Sequence, residues 1–302
     1  MISSWIENDL DADSSGIYRL KDHSHFSYSD GADSERYLNR VFDSCKDLSS
    51  GSAELAMWIK DWPSEYHLSP KRSSLLDVFT YESSSNVLEV GCGCGAISRF
   101  LGETFDRVIS IEGSIPRANL ARKRCRDLAN VHFVAAPFQE LRFKKKFDII
   151  FCIGVLEYSS KFVDDPNPYN SIVRFFAEHL TDDGVLVIAI ENRLGLKYFN
   201  SASEDHTGRA FDGIEDYPGT ANKAKTFGYG ELREMLSAEF PSVDFYFPFP
   251  DYKVPDAVFS EQLLTSTDVS GLIGRYESRD YNKPYRPLFS ERKAWRSLAM
   301  NG

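Results

Sequence analysis

Val87-Leu88-Glu89-Val90-Gly91-Cys92-Gly93-Cys94-Gly95 passes from an apolar strand, through an acidic residue, into glycines at every second position. Ala96-Ile97-Ser98-Arg99-Phe100-Leu101 follows with helical spacing. Strand, glycine turn and helix in that order make a ligand cradle. Glycine permits positive φ and lets a ligand lie against bare backbone, and the helix start presents N–H groups with no partner inside the helix. The spacing is G-x-G-x-G with an acid two residues ahead, not the G-x-G-x-x-G of a dinucleotide fold. That favours a nucleoside ligand without a pyrophosphate.

Outward from this stretch, short apolar runs alternate with helical patterns. The spacing predicts strands over 86–90, 107–111, 131–135, 147–153 and 185–190, and helices over 96–103, 114–128, 169–179 and 230–238. Such alternation makes a parallel sheet covered on both faces. The runs 147–153 and 185–190 are apolar on both faces, as central parallel strands are. Residues 244–249 and 257–260 read as strands joined by a Pro-rich turn, suited to an antiparallel edge. Residues 1–85 show helical periodicity at 35–45, 53–60 and 70–80, which predicts an N-terminal helical cap on the acceptor side. The expected organisation is this cap, a core over 86–262 with an active-site insertion at 191–228, and a C-terminal extension over 263–302 that links to a further domain.

The 302 residues are 42% hydrophobic and 26% charged, an ordinary globular balance. A net charge of -10 argues against a general nucleic-acid binder. The basic run Arg117 to Arg126 reads as a solvated face. Cysteines 45, 92, 94, 125 and 152 imply no disulfide framework. Cys92 and Cys94 lack a second pair at zinc spacing, so no metal site is expected. Neither a signal peptide nor a membrane span is visible, and the chain reads as cytoplasmic.

Three features fall at the carboxyl ends of successive strands, where an open α/β sheet binds its ligand. The first is Glu89 with the three glycines. A buried carboxylate there needs a partner, which a ligand ammonium or a neighbouring N–H supplies. The second is Glu112, placed to accept both hydroxyls of a ribose. The third is Phe138-Gln139-Glu140, able to flank an adenine ring.

At these residues the chain resembles the class I S-adenosylmethionine-dependent methyltransferases. Glu89–Gly95 is similar to their first motif, and Ile111-Glu112-Gly113-Ser114 to the second. Phe133-Val134-Ala135-Ala136-Pro137-Phe138-Gln139-Glu140-Leu141 is similar to the third, and Phe147 through Cys152-Ile153-Gly154-Val155-Leu156-Glu157-Tyr158 to the fourth. The resemblance implies a Rossmann-like α/β fold: a mostly parallel seven-stranded sheet with an antiparallel edge. It implies S-adenosylmethionine held by Glu89, Gly91, Cys92, Gly93, Gly95, Glu112, Gly113, Ser114, Pro137, Phe138, Gln139, Cys152 and Ile153. Pro137 stands where the family often has an acid for the adenine amino group, so a backbone group or Gln139 serves instead. Tyr158 stands where many members have His.

A narrower resemblance rests on Trp62–Arg72, Glu191–Phe199, Glu204-Asp205-His206-Thr207-Gly208-Arg209, 211–214 and 248–253. It is to methyltransferase domains fused to, or found beside, glycosyltransferases in bacterial surface-polysaccharide systems. This implies a saccharide or glycolipid acceptor and a glycosyltransferase partner. His206, oriented by Asp205 or Glu204, is the expected general base, since a neutral imidazole near pH 7 suits that task. Glu191 shares its loop, and Tyr158 is expected to position the acceptor. His67 is read as a helix-start residue or a donor or acceptor contact, and Asp251 and Lys253 as cleft residues or a salt-bridged turn. Aromatics outside the core, among them Trp5, Phe26, Tyr28, Trp58 and Trp62, suit either sugar stacking or packing. A small-molecule O- or N-methyltransferase, a non-catalytic binding module and a dehydrogenase remain open alternatives.

Overall fold

The computed structural model describes residues 2–21, 31–219, 224–266, 270–273, 287, 288 and 290. Phe26, Tyr28 and most of the 263–302 extension lie outside the described residues. The chain divides into two units, Met1–Val155 with Arg174–Ala189, and Leu156–Val173 with Ile190–Gly302.

The first unit is built on one sheet. Its strands are β1 (Leu10–Ala12), β2 (Tyr18–Leu20), β3 (Asn86–Val90), β4 (Arg107–Glu112), β5 (Val131–Ala135), β6 (Phe147–Ile153) and β7 (Leu180–Ala189). Their order is β1-β2-β5-β4-β3-β6-β7. Every neighbouring pair is parallel except β1 with β2. The result is a Rossmann-like α/β sheet of six parallel strands and one antiparallel edge. β3 sits between β4 and β6, with Val87 opposite both Val108 and Ile149. Its Val87, Leu88 and Val90 are buried, as are Val108, Ile109 and Ile111 of β4. Apolar residues on both faces are what a doubly covered parallel strand requires.

Three expectations need correction. The antiparallel edge comes from the N-terminus, where β2 pairs with β5 through Tyr18↔Val134 and Arg19↔Ala135. The first 85 residues are therefore not a purely helical cap. The strands expected at 244–249 and 257–260 form β8 (Tyr246–Phe249) and β9 (Ala257–Ser260), which pair only with each other. β7 is not central either: it ends the sheet, and Val185 is 53% exposed.

A fourth correction concerns the basic run. Arg124 is 1% exposed and donates to the His67 carbonyl. Arg126 donates to the carbonyls of Phe42 and Cys45, where the helix Ala32–Ser44 ends. Lys123 reaches Asn39 at 2.8 Å and Asp43 at 2.6 Å. Cations beside the last carbonyls of a helix satisfy orphan acceptors and meet the negative end of its dipole. The run Arg117 to Arg126 is thus a clamp on the N-terminal helices, not a solvated face. Around it Leu38, Val41, Phe42, Leu55, Leu68, Cys94 and Leu120 form one apolar cluster.

The second unit holds the helix Tyr229–Ser237, the β8–β9 hairpin and a long irregular segment after β7. That segment carries four non-glycine residues at positive φ: Ser201, Phe211, Asp216 and Tyr217. Side chains in the left-handed region cost about 1–2 kcal/mol each and persist where surrounding contacts hold them.

Candidate functional site

In the first unit the glycine turn joins the carboxyl end of β3 to the helix Ala96–Thr104. Gly91, Gly93 and Gly95 have φ of 73°, 56° and 85°. A Cβ on Gly95 would lie 2.7 Å from Ala121 Cα, and one on Gly91 would lie 2.3 Å from Val155 Cγ2. At these two positions the close approach is made by the protein itself, which adds a packing role to the ligand contact expected there.

Glu112, 6% exposed, closes the turn from the end of β4. Its Oε2 accepts from Gly93 N at 2.8 Å and its Oε1 from Ser114 N at 2.9 Å. Each oxygen takes one backbone donor and retains acceptor capacity, since an ionised carboxylate offers about four lone-pair sites. Gly91 N and Cys92 N both donate to the Ile111 carbonyl, at 2.9 and 3.0 Å. Turn and strand end are therefore one rigid piece.

Glu89, 3% exposed, accepts from Ser110 Oγ at 2.6 Å. Burial pushes its carboxyl up to about 7. Cys152 lies beside Val90 in the β3–β6 register, with Ile153 at the end of β6. Ala136 N donates to the Glu112 carbonyl at 3.1 Å and ties the Pro137-Phe138-Gln139 segment to β4. One face of the Phe138 ring is taken by Phe176, with centroids 5.8 Å apart. The acid, the glycines, Glu112–Ser114, Pro137–Gln139, Cys152 and Ile153 thus gather at the carboxyl ends of β3, β4, β5 and β6. Arg117, 7% exposed, was missed by sequence reading: its Nη2 lies 2.7 Å from where a Gly93 Cβ would sit. Its place in a basic run concealed it.

All five cysteines are buried thiols, and none forms a disulfide. Burial pushes Cys125 up to about 12 and Cys92 well above its ordinary value, so neither is a thiolate nucleophile. His67 is 2% exposed and its carbonyl holds Arg124, which assigns it to packing.

Two ionic groupings of the second unit involve residues singled out in the sequence. In the first, His206 Nδ1 lies 3.0 Å from Glu204 Oε1 and Nε2 lies 3.8 Å from Glu157 Oε1. Burial opposes the imidazolium, but Glu157 and Glu204 outweigh it and push the ring up to about 10. The neutral imidazole expected near pH 7 is therefore overturned: the ring is a cation between two carboxylates. Glu204, not Asp205, orients it. The Tyr158 ring meets His206 edge-on at 5.2 Å.

In the second grouping, Lys253 Nζ contacts Glu191 and lies 2.9 Å from Asp205 Oδ2. Lys197 Nζ lies 3.4 Å from Asp251, 3.6 Å from Asp205 and 3.8 Å from Glu191. Tyr198 OH donates to Glu191 Oε2 at 3.2 Å. Burial pushes Glu191 up to about 8, whereas Glu191 and the two lysines hold Asp205 well below the carboxylate range against its own burial. Asp251 and Lys253 belong to this network.

Among the described residues no helix is long and apolar enough to cross a membrane. No group of three or more His, Cys, Asp and Glu side chains among them is arranged to hold a metal ion.

Residues 87–184 match the family model described as a methyltransferase domain. No curated protein matches the chain. Among solved structures, the chain is similar to the methyltransferase bound to the Haloferax volcanii Trm112 methyltransferase activator. The identity there is 17%, covering 56% of this chain and 66% of that one, with a TM-score of 0.42. It is also similar to the N-methyltransferase NodS from Bradyrhizobium japonicum WM9, at 16% identity over 60% of this chain and 85% of that one, with a TM-score of 0.43. A third likeness is to DhpI in its complex with S-adenosylhomocysteine, at 19% identity over 68% and 86%, with a TM-score of 0.40. Superpositions this loose carry no argument about chemistry. The family match identifies 87–184 as an S-adenosylmethionine-dependent methyltransferase domain, and its acid–glycine–acid cradle fits that cofactor.

Proposed function

We propose that the chain transfers the methyl group of S-adenosylmethionine to a hydroxyl of a saccharide, in a bacterial surface polysaccharide or its lipid-linked precursor. Methyl transfer from a sulfonium is an in-line displacement, so holding donor and acceptor aligned lowers much of the barrier. The first unit supplies the donor cradle, with Glu112 taking the ribose hydroxyls and Glu89 the donor ammonium. The observation that carries methyl transfer is the acid–glycine–acid cradle of the first unit, where Glu112 accepts from Gly93 N and Ser114 N. A hydroxyl must lose its proton as it attacks, a step that a general base assists. The saccharide class follows from the resemblance in the 62–72 and 191–253 segments. On this reading the chain works beside a glycosyltransferase, fused or associated, in the cytoplasm at the inner face of the membrane.

The test is calorimetry with S-adenosylhomocysteine, followed by turnover with labelled S-adenosylmethionine on a panel of neutral oligosaccharides and a panel of small amines. Label transferred to the oligosaccharides is the expected result. Transfer confined to amines replaces this reading with a small-molecule N-methyltransferase, and binding without turnover on either panel replaces it with a binding module.

Donor binding should also depend on pH. Burial pushes Glu89 up to about 7, so below that value its carboxyl is neutral. A ligand ammonium favours the ionised form, and binding therefore releases a proton. Affinity for S-adenosylhomocysteine is expected to rise as pH increases through about 7 and then level off. The Glu89→Gln variant should lose this slope; an equal slope in both proteins would exclude Glu89 as its source.

A further inference from the structure

S-adenosylmethionine ends in an α-amino acid, an ammonium beside a carboxylate. Glu89 suits the ammonium. A carboxylate next to it calls for a cation fixed near Glu89 and shielded from water.

Arg72 is such a cation. It is 3% exposed and lies in the 3₁₀ segment Pro70–Leu75, in the same unit as Glu89. Burial pushes the Glu89 carboxyl up, and the charge of Arg72 is among the influences that draw it back. Packing brings the two together independently. Pro70–Leu75 lies against the helix Ala96–Thr104, which starts at the glycine turn. Just ahead of it, Leu68 shares one apolar cluster with Cys94 of that turn. The approach to Arg72 is also fixed. Asp61 caps the helix Trp62–Leu68 by accepting from Ser64 N at 3.0 Å, and Arg124 donates to the His67 carbonyl.

Tyr66 aims the guanidinium. Arg72 Nη2 donates to Tyr66 OH at 3.2 Å, and the guanidinium carbon lies 4.7 Å from the centre of the Tyr66 ring. A hydrogen bond and a cation–π contact to one aromatic hold the group in one orientation. A guanidinium presents a planar fork of N–H donors that matches a carboxylate bidentately. Glu89 takes its hydrogen bond from Ser110 Oγ at 2.6 Å, so acid and cation are each held by a framework of their own. A second buried guanidinium, Arg117, stands at the other acid: its Nη2 lies 2.7 Å from where a Gly93 Cβ would sit, and Gly93 N donates to Glu112.

We propose that Arg72 is a donor-binding residue that pairs with the carboxylate of the methionine moiety while Glu89 takes the ammonium. This rests on the methyl-transfer reading above. Opposite charges held side by side form a template for a zwitterion, so the cradle selects nucleosides that carry an intact α-amino acid. Without Arg72, the ligand carboxylate would meet Glu89 alone, a like charge.

The test is calorimetry of wild type, Arg72→Gln, Arg72→Lys and Arg117→Gln with two ligands, S-adenosylhomocysteine and its decarboxylated analogue, which keeps the ammonium. Titrations are run on the alkaline side of the Glu89 transition, with thermal unfolding as a control. Wild type should prefer S-adenosylhomocysteine by about 10–10²-fold. Arg72→Gln should lose that preference: S-adenosylhomocysteine weakens by about 10–10²-fold, while the analogue, relieved of a cation beside its ammonium, binds within about threefold of wild type or more tightly. Arg72→Lys keeps the charge without the fork and should retain only part of the preference; should Arg72→Gln not fold, this variant decides, and an undiminished preference in it overturns the pairing. A merely structural role for Arg72 weakens both ligands alike and also overturns it. So does a wild type indifferent to the carboxylate, or a preference lost in Arg117→Gln and kept in Arg72→Gln. Each of these leaves the methyl-transfer reading standing, whereas a wild type that binds neither ligand removes that reading and this inference with it.

Discussion

Glu112→Ala is expected to raise the dissociation constant for S-adenosylhomocysteine by about 10²–10³-fold, the largest effect of any single change in the donor cradle. The carboxylate does two things at once. On the proposed donor pose it takes both ribose hydroxyls, and hydrogen bonds to a charged group are worth about 1.5–3 kcal/mol each. It also accepts from Gly93 N and Ser114 N. Removing it leaves those donors unpaired and the turn free to open, so the loss exceeds that of the ribose contacts alone. With 1.4 kcal/mol per factor of ten, the ribose contacts by themselves account for two decades or more. Glu112→Gln keeps one acceptor oxygen and should fall between the two proteins. Calorimetry measures the effect, and thermal unfolding separates cradle collapse from lost contacts. An unchanged affinity in Glu112→Ala would remove this residue from the donor site.

Gly95→Ala should lower stability by about 3 kcal/mol, whereas Gly93→Ala should cost only about 1–2 kcal/mol. Both residues sit at positive φ, 85° and 56°, so both substitutions carry the left-handed penalty. The neighbours make the difference. The new methyl at 95 would lie 2.7 Å from Ala121 Cα and 3.1 Å from Ala121 O, atoms of a helix backbone that cannot move aside. At 93 the nearest atom is Arg117 Nη2 at 2.7 Å, the end of a flexible side chain. Overpacking against backbone typically adds about 1–3 kcal/mol. Thermal unfolding should show a fall of roughly 6–12 °C for Gly95→Ala. Equal losses in the two variants would mean that conformation alone, and not the approach of the 115–124 helix, fixes these glycines.

The strands nearest the glycine turn were legible because their apolar residues occupy both faces. Val87, Leu88 and Val90, or Ile149, Ile150 and Phe151, leave no alternative to a doubly covered strand. β1 and β2 were not legible. Each is only three residues long, too short to repeat the two-residue alternation of a strand, and β2 pairs with β5 more than a hundred residues later. The basic run was misread for a related reason. Charge says that a side chain needs a partner, but the partners of Arg124 and Arg126 are the carbonyls of residues 67, 42 and 45, and a carbonyl leaves no mark in sequence. His206 was found by residue type and its protonation missed, because Glu157 lies far upstream in the chain and its approach is a product of folding.

The pairing of β2 with β5 bears on where this protein can be cut. A fragment beginning near residue 86 retains every motif of the donor cradle, and by sequence alone it is the natural minimal domain. It would also strip β1 and β2 from the sheet and leave β5 with a bare, apolar, parallel margin. Unpaired margins of that kind recruit strands from other molecules. The first twenty residues are thus the hem of the sheet: shortening the chain to its motif-bearing centre would trade a covered edge for a sticky one.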